Sequence, residues 1–202
     1  MKNRFSVFFP WLLWVILAIP ALSMLSEAIS GTSSDRFENL LHPTGEFAAR
    51  FMIISLLATP LCMLLRGWRG PAWLKRNRRY FGVAAFGYAA LHLGFYVIDK
   101  AALAPMLADL ATPPFWFGWL AFAIFVPLAV TSSDYFVRRL GPNWKELQRW
   151  NWVAAVLIVF HWLTMDNGKS LGPVLVHFTP LALLTGYRLW YWYLRPRPQT
   201  TP

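Results

Sequence analysis

Six long apolar stretches constrain this chain more than any other feature. They cover about residues 6–29, 46–65, 80–98, 115–131, 150–165 and 173–193. A helix that crosses the hydrocarbon core of a bilayer needs about 20 mostly apolar residues. Because only 14% of the residues are charged, against about 25% in soluble proteins, the chain has too little polar surface to cover a soluble globule. The sequence therefore predicts an all-α integral membrane protein, a six-transmembrane-helix bundle that forms one domain over residues 1–202.

The basic residues give these helices a direction. Most of them lie at the two ends of the chain and in the second and fourth loops, whereas Arg36, Lys100 and Lys169 lie in the other three loops. Those at the ends are Lys2, Arg4, Arg195 and Arg197. Loops with an excess of lysine and arginine stay in the cytoplasm, so both termini are predicted to be cytoplasmic. This topology also explains the net charge of +10, and we expect membrane lipid but no nucleic acid as a partner.

Several chemistries lack the groups that they need. Cys62 is the only cysteine, which excludes a disulfide framework, a cysteine zinc site and an iron–sulfur cluster within the chain. The sequence contains no HExxH motif, no GxSxG motif, no glycine-rich phosphate-binding loop and no paired carboxylates inside the apolar stretches. Hydrolase and nucleotide-binding functions are therefore not expected.

Histidines inside the apolar stretches are the main functional candidates, because ionisable residues within a membrane are costly. His92 lies twelve residues after Tyr80, and His161 lies twelve residues after Arg149. Both helices run outward, so each imidazole is predicted about 18 Å along its helix, at one level in the outer half of the bilayer. Two such histidines on separate helices can supply both axial ligands of a haem. The alternative is that each is a neutral histidine bonded to a backbone carbonyl.

Three more polar residues are predicted near the same level. His42 and His177 either contact a haem propionate or a second metal, or are ordinary interfacial residues. Arg50 follows Glu46 by four residues, so it either forms an ion pair with it or binds an anionic ligand group. The segment around Thr44 combines a proline, a capping hydroxyl and an acidic residue, which predicts the start of the second helix there.

An ordered set of short strings resembles a known family. The strings are His42-Pro-Thr-Gly45, Arg78-Arg79-Tyr-Phe-Gly82, Tyr88-Ala-Ala-Leu-His92, Thr131-Ser132 with Arg138-Arg139-Leu-Gly-Pro-Asn-Trp144, and His161-Trp162. In this order and spacing they resemble the haem-binding membrane subunits of periplasmic methionine-sulfoxide reductase systems, within the ferric-reductase-like transmembrane superfamily.

The resemblance implies a b-type cytochrome of the bacterial inner membrane. Such a subunit has no catalytic site of its own. It passes electrons from a cytosolic flavin reductase or the quinone pool to a periplasmic molybdopterin reductase subunit, which reduces methionine sulfoxide. By position, the family's haem histidines fall on His92 and His161. Its third haem histidine falls where this chain has Gln148, and an amide is a poor haem ligand beside imidazole.

We therefore expect one haem b, with FMN or a bound quinone as the carrier on the inner side. The basic cluster from Lys75 to Arg79 either holds a flavin phosphate or an acidic partner, or is only a topology signal. Two other functions remain open on the sequence alone. One is a stand-alone ferric or quinone reductase component, and the other is a haem-free assembly or small-solute membrane protein.

Overall fold

The computed structural model describes residues 5–165 and 169–195, and every regular element in those ranges is helical. The predicted cytoplasmic charges Lys2, Arg4 and Arg197 lie outside the described residues. The helices are α1 (Phe5–Ser30), α2 (Arg36–Leu64), α3 (Arg69–Lys100), α4 (Leu103–Asp109), α5 (Pro113–Val130), α6 (Asp134–Leu140), α7 (Pro142–Met165) and α8 (Leu171–Leu189), and a π-helical segment covers Trp190–Leu194. The prediction of an all-α fold is confirmed.

The predicted start of the second helix is wrong. α2 begins at Arg36 and continues through Pro43. The Thr44 hydroxyl is not a cap; it donates to the carbonyl of Leu40 at 2.6 Å, one turn back in the same helix. Leu40 is only 2% exposed and packs with Phe95 of α3. Packing of Leu40 against α3 stabilises the helix before Pro43, a residue that in isolation favours a helix start.

Four of the described helices are long and apolar enough to cross a membrane, namely α1, α2, α3 and α5. The helices α7 and α8 coincide with the fifth and sixth predicted spans but are not in that set, so the number of six spans stays a prediction. Many large apolar side chains point outward from the bundle, such as Trp11, Ile29 and Val176 at 73%, 83% and 74% exposure. Such a surface suits contact with lipid and not with water.

The helices pack as two close pairs, α2 with α3 and α5 with α7. Contacts of α3 with α5 and of α2 with α7 join the pairs, and α8 lies against α2. Buried alanines on these helices, including Ala49, Ala85 and Ala154, let the backbones approach closely. Met52 lies at the centre of the bundle and is fully buried. The helix α3 of one pair carries His92 and the helix α7 of the other carries His161, so the junction of the pairs positions the candidate site.

Candidate paired-histidine site

His92 of α3 and His161 of α7 face each other across the junction of the two helix pairs. Their ring centres lie 6.3 Å apart, and the ring planes are nearly perpendicular at 88°. The structure thus brings together the two imidazoles that were predicted to lie at one level.

Each of the two rings is held through Nδ1. His92 Nδ1 lies 2.9 Å from the carbonyl oxygen of Leu41, and His161 Nδ1 lies 2.8 Å from that of Pro114. A carbonyl oxygen only accepts hydrogen bonds, so each Nδ1 carries the proton and each Nε2 keeps a free lone pair. A backbone carbonyl on the second nitrogen is the usual support of a metal-ligating histidine. The two interpretations of these histidines, bonded to backbone or available as ligands, are therefore compatible.

A glycine lies directly against each ring. A Cβ atom placed on Gly45 would lie 3.2 Å from His92 Nδ1, and one placed on Gly118 would lie 2.9 Å from His161 Cε1. Both glycines were missed as site residues, although Gly45 belongs to one of the strings that carried the family resemblance. Their role depends on a contact between helices, and the sequence gives no direct signal of such a contact.

The two imidazoles fit a haem. Two imidazoles that bind one metal from opposite sides place their ring centres roughly 6 Å apart, because a metal–nitrogen bond is about 2 Å and the ring centre lies about 1 Å further out. Within residues 5–165 and 169–195, no group of three or more His, Cys, Asp or Glu side chains could hold a metal ion. A pair of histidines leaves a bare ion short of ligands, whereas a haem macrocycle supplies the remaining nitrogens.

Glu46, Arg50 and His177 form a separate polar cluster. Arg50 Nη2 donates to Glu46 Oε1 at 2.5 Å, so the predicted ion pair is present. His177 Nδ1 lies 2.7 Å from the carbonyl oxygen of Pro173, and Arg50 Nε donates to His177 Nε2 at 3.1 Å. Both ring nitrogens of His177 are therefore engaged, unlike those of the facing pair. This geometry places His177 in the ion-pair cluster.

Trp162 connects the remaining histidines. Its ring centre lies 5.3 Å from that of His177 and 6.0 Å from that of His42. We call His42, His92, His161, His177 and Trp162 the histidine layer. All four histidines of the chain thus lie at one end of the bundle.

A basic pocket lies toward the other end of the same helices. It is a cavity of about 190 Å³, and Gln148 is among its lining residues. Five cations line it as well: Arg78, Arg79, Lys145, Arg149 and Arg188. Gln148 precedes His161 by thirteen residues on α7, about 20 Å along the helix. Of the predicted basic cluster, only Arg78 and Arg79 reach this pocket, and the other cations come from α7 and α8.

Most of the pocket cations have no carboxylate beside them in the described structure. Arg79 pairs with Asp134 at 2.6 Å, and Arg78 Nη1 donates to the Thr59 hydroxyl at 3.3 Å. Gln148 Nε2 donates to the carbonyl of Leu128 at 3.1 Å, so its amide is oriented by the backbone. The pocket is thus polar and strongly positive, which favours an anionic group.

Comparison with known proteins gives a family match and several curated relatives. The profile of the family described as "Ferric reductase like transmembrane component" matches residues 44–160. A relative from Ralstonia nicotianae is 32% identical, with the alignment covering 88% of this chain and 83% of the relative. One from Rhizobium meliloti is 34% identical over 88% and 82%, and one from Brucella ovis is 33% identical over 93% and 84%. All three are named protein-methionine-sulfoxide reductase heme-binding subunit MsrQ. No solved structure matches the chain significantly.

Proposed function

Because the chain belongs to the ferric-reductase-like transmembrane family, and within it to the MsrQ subunits, we propose that it is a haem-binding electron-transfer subunit of a methionine-sulfoxide reductase. The whole chain serves as one haem-binding domain. The observation that carries the proposal is the facing pair His92 and His161, each with its Nε2 lone pair free and its Nδ1 bonded to a carbonyl.

His92 and His161 would hold the iron of a single haem b. The group is non-covalently bound, since the lone Cys62 rules out the C-x-x-C-H motif of covalent haem attachment. When bound, the haem would supply a one-electron carrier. The chain's own residues fix the ligands, since the Leu41 and Pro114 carbonyls set the tautomer and orientation of the two rings.

The basic pocket is the proposed site of electron uptake. It lies about 20 Å along α7 from the histidine layer, so a carrier bound there would stand between a cytosolic donor and the haem. The proposed carrier is FMN or a quinone, reduced by a cytosolic flavin reductase or drawn from the quinone pool. The pocket cations suit a phosphate or the developing charge of a quinone ring. Gln148 in the place of a histidine argues against a second haem there.

The direction of transfer follows from the charge pattern. The pocket end carries most of the loop arginines and lysines, which indicates the cytoplasmic side of the bacterial inner membrane, with both termini on that side. The histidine layer then lies toward the periplasm. Its proposed partner is a periplasmic molybdopterin reductase subunit that takes electrons from the haem.

Haem quantification tests the proposal directly. Protein purified in detergent should carry one haem per chain. After dithionite reduction it should show the resolved α and β absorption bands of a low-spin haem with two imidazole ligands. His92→Ala and His161→Ala should each remove these bands. The matched controls His42→Ala and His177→Ala should keep them, because His177 Nε2 accepts from Arg50 and the His42 ring packs against Trp162.

Two outcomes would point to other functions. If the purified protein contains no haem, the proposal is contradicted and a haem-free membrane protein is favoured. If the reduced haem is reoxidised by ferric iron, but not by a molybdopterin subunit supplied with methionine sulfoxide, the protein is instead a stand-alone reductase component.

A further inference from the structure

We propose that Gly45 and Gly118 are positioning residues, each forming a seat on which one histidine ring lies, and that the two seats hold the imidazole planes crossed. This inference rests on the proposed haem function and deepens it. It assigns a role to two residues that bear no ligand atoms of their own.

The two seats have the same construction. On α2, the carbonyl of Leu41 accepts from His92, and Gly45 lies one turn later against the same ring. On α5, the carbonyl of Pro114 accepts from His161, and Gly118 lies one turn later against that ring. Each histidine ring therefore packs against the helix that lies closest to its own. His92 of α3 packs against α2, and His161 of α7 packs against α5.

Glycine is needed in these positions for space and not for backbone conformation. Both glycines lie within regular α-helix, where glycine is unfavourable compared with alanine. A Cβ on Gly118 would lie 2.9 Å from His161 Cε1 and 3.0 Å from its Nδ1, so the ring would have to move. By contrast, a Cβ on Gly87 of α3 or on Gly172 of α8 would meet nothing within 4 Å.

The seats determine how the rings are turned. Each ring is fixed at Nδ1 by the carbonyl and across its surface by the glycine, which leaves little freedom of rotation about Cβ–Cγ. The result is an angle of 88° between the two planes. Crossed axial imidazoles give a low-spin ferric haem a highly anisotropic EPR signal, whereas parallel planes give a rhombic one. Ligand orientation is one of the means by which a protein adjusts a haem.

The decisive experiment compares Gly118→Ala and Gly45→Ala with the controls Gly87→Ala and Gly172→Ala, all as full-length haem-loaded protein. Wild type and both controls should show the anisotropic signal and the same haem content. Gly118→Ala should weaken haem binding roughly 10–100-fold. Gly45→Ala, whose Cβ has 0.3 Å more room (3.2 against 2.9 Å), should keep haem but change the EPR signal and the reduction potential. Glycine variants that match the controls in all three measurements would overturn the proposal.

A second measurement does not depend on haem. In the haem-free protein, Gly118→Ala should lower the thermal unfolding midpoint when His161 is present, but much less in a His161→Ala background, because the added methyl then meets no ring. An equal decrease of the unfolding midpoint in the two backgrounds would show that Gly118 matters for helix packing alone, and would contradict its proposed contact with the His161 ring. Absence of haem from wild type would contradict the proposed function. This double-mutant cycle would still test whether Gly118 supports the His161 ring.

Discussion

The histidine layer and the basic pocket are built from the same helices, yet their chemistry is opposite. At one end, α7 presents His161, with its Nδ1 bonded to a carbonyl and its Nε2 free. About 20 Å along the same helix, it presents Gln148, whose amide donates to the carbonyl of Leu128. Both side chains are held by a carbonyl of α5, so the scaffold is similar. The comparison teaches that the identity of the side chain, more than its support, separates an end with imidazoles suited to a metal from one with a positive, anion-attracting pocket.

The largest expected effect comes from making the histidine end resemble the pocket end. His161→Gln puts an amide in place of an imidazole, and an amide is a poor ligand for haem iron. We expect loss of nearly all low-spin haem, measured by reduced-minus-oxidised spectra. The matched control Gln148→Ala should retain it. Normal haem content in His161→Gln would show that the two ends do not differ in the way proposed.

Neutralising the pocket should have an intermediate effect. Arg149→Gln together with Arg188→Gln removes two of the five cations that line the pocket and should slow haem reduction about tenfold at low salt. Stopped-flow reduction by reduced FMN and by a short-chain quinol would identify the donor that is affected. Haem content should not change. The control Lys75→Gln removes a charge outside the pocket lining, and the haem of this variant should be reduced at the wild-type rate.

The smallest expected effect comes from the reverse exchange, Gln148→His. All four native histidines lie at the other end, so the new imidazole has no second histidine to share a haem with. Haem should stay at one per chain in a haemochrome assay. A second haem in this variant would erase the distinction between the two ends.

The facing histidines were predictable because helical rise and loop charge are properties of the sequence itself. Counting from Tyr80 and Arg149 gave His92 and His161 the same depth, and the structure brings their rings together. The start of α2 was not predictable, since burial of Leu40 against other helices outweighs the local signal of Pro43. The glycine seats and the convergence of Arg149 and Arg188 on one pocket likewise depend on which helices are neighbours, and no local pattern gives this.

The division of the site between two helix pairs has a consequence for biosynthesis. By residue 100 the emerging chain contains both Gly45 and His92, so the first half-site can form before α5 and α7 have been made. The second half forms later, from Gly118 and His161. The two imidazoles meet only when the pairs dock, and iron bound between them would bridge the interface between the pairs. We therefore expect cells starved of haem to accumulate a chain whose two halves are each folded but more easily separated by protease.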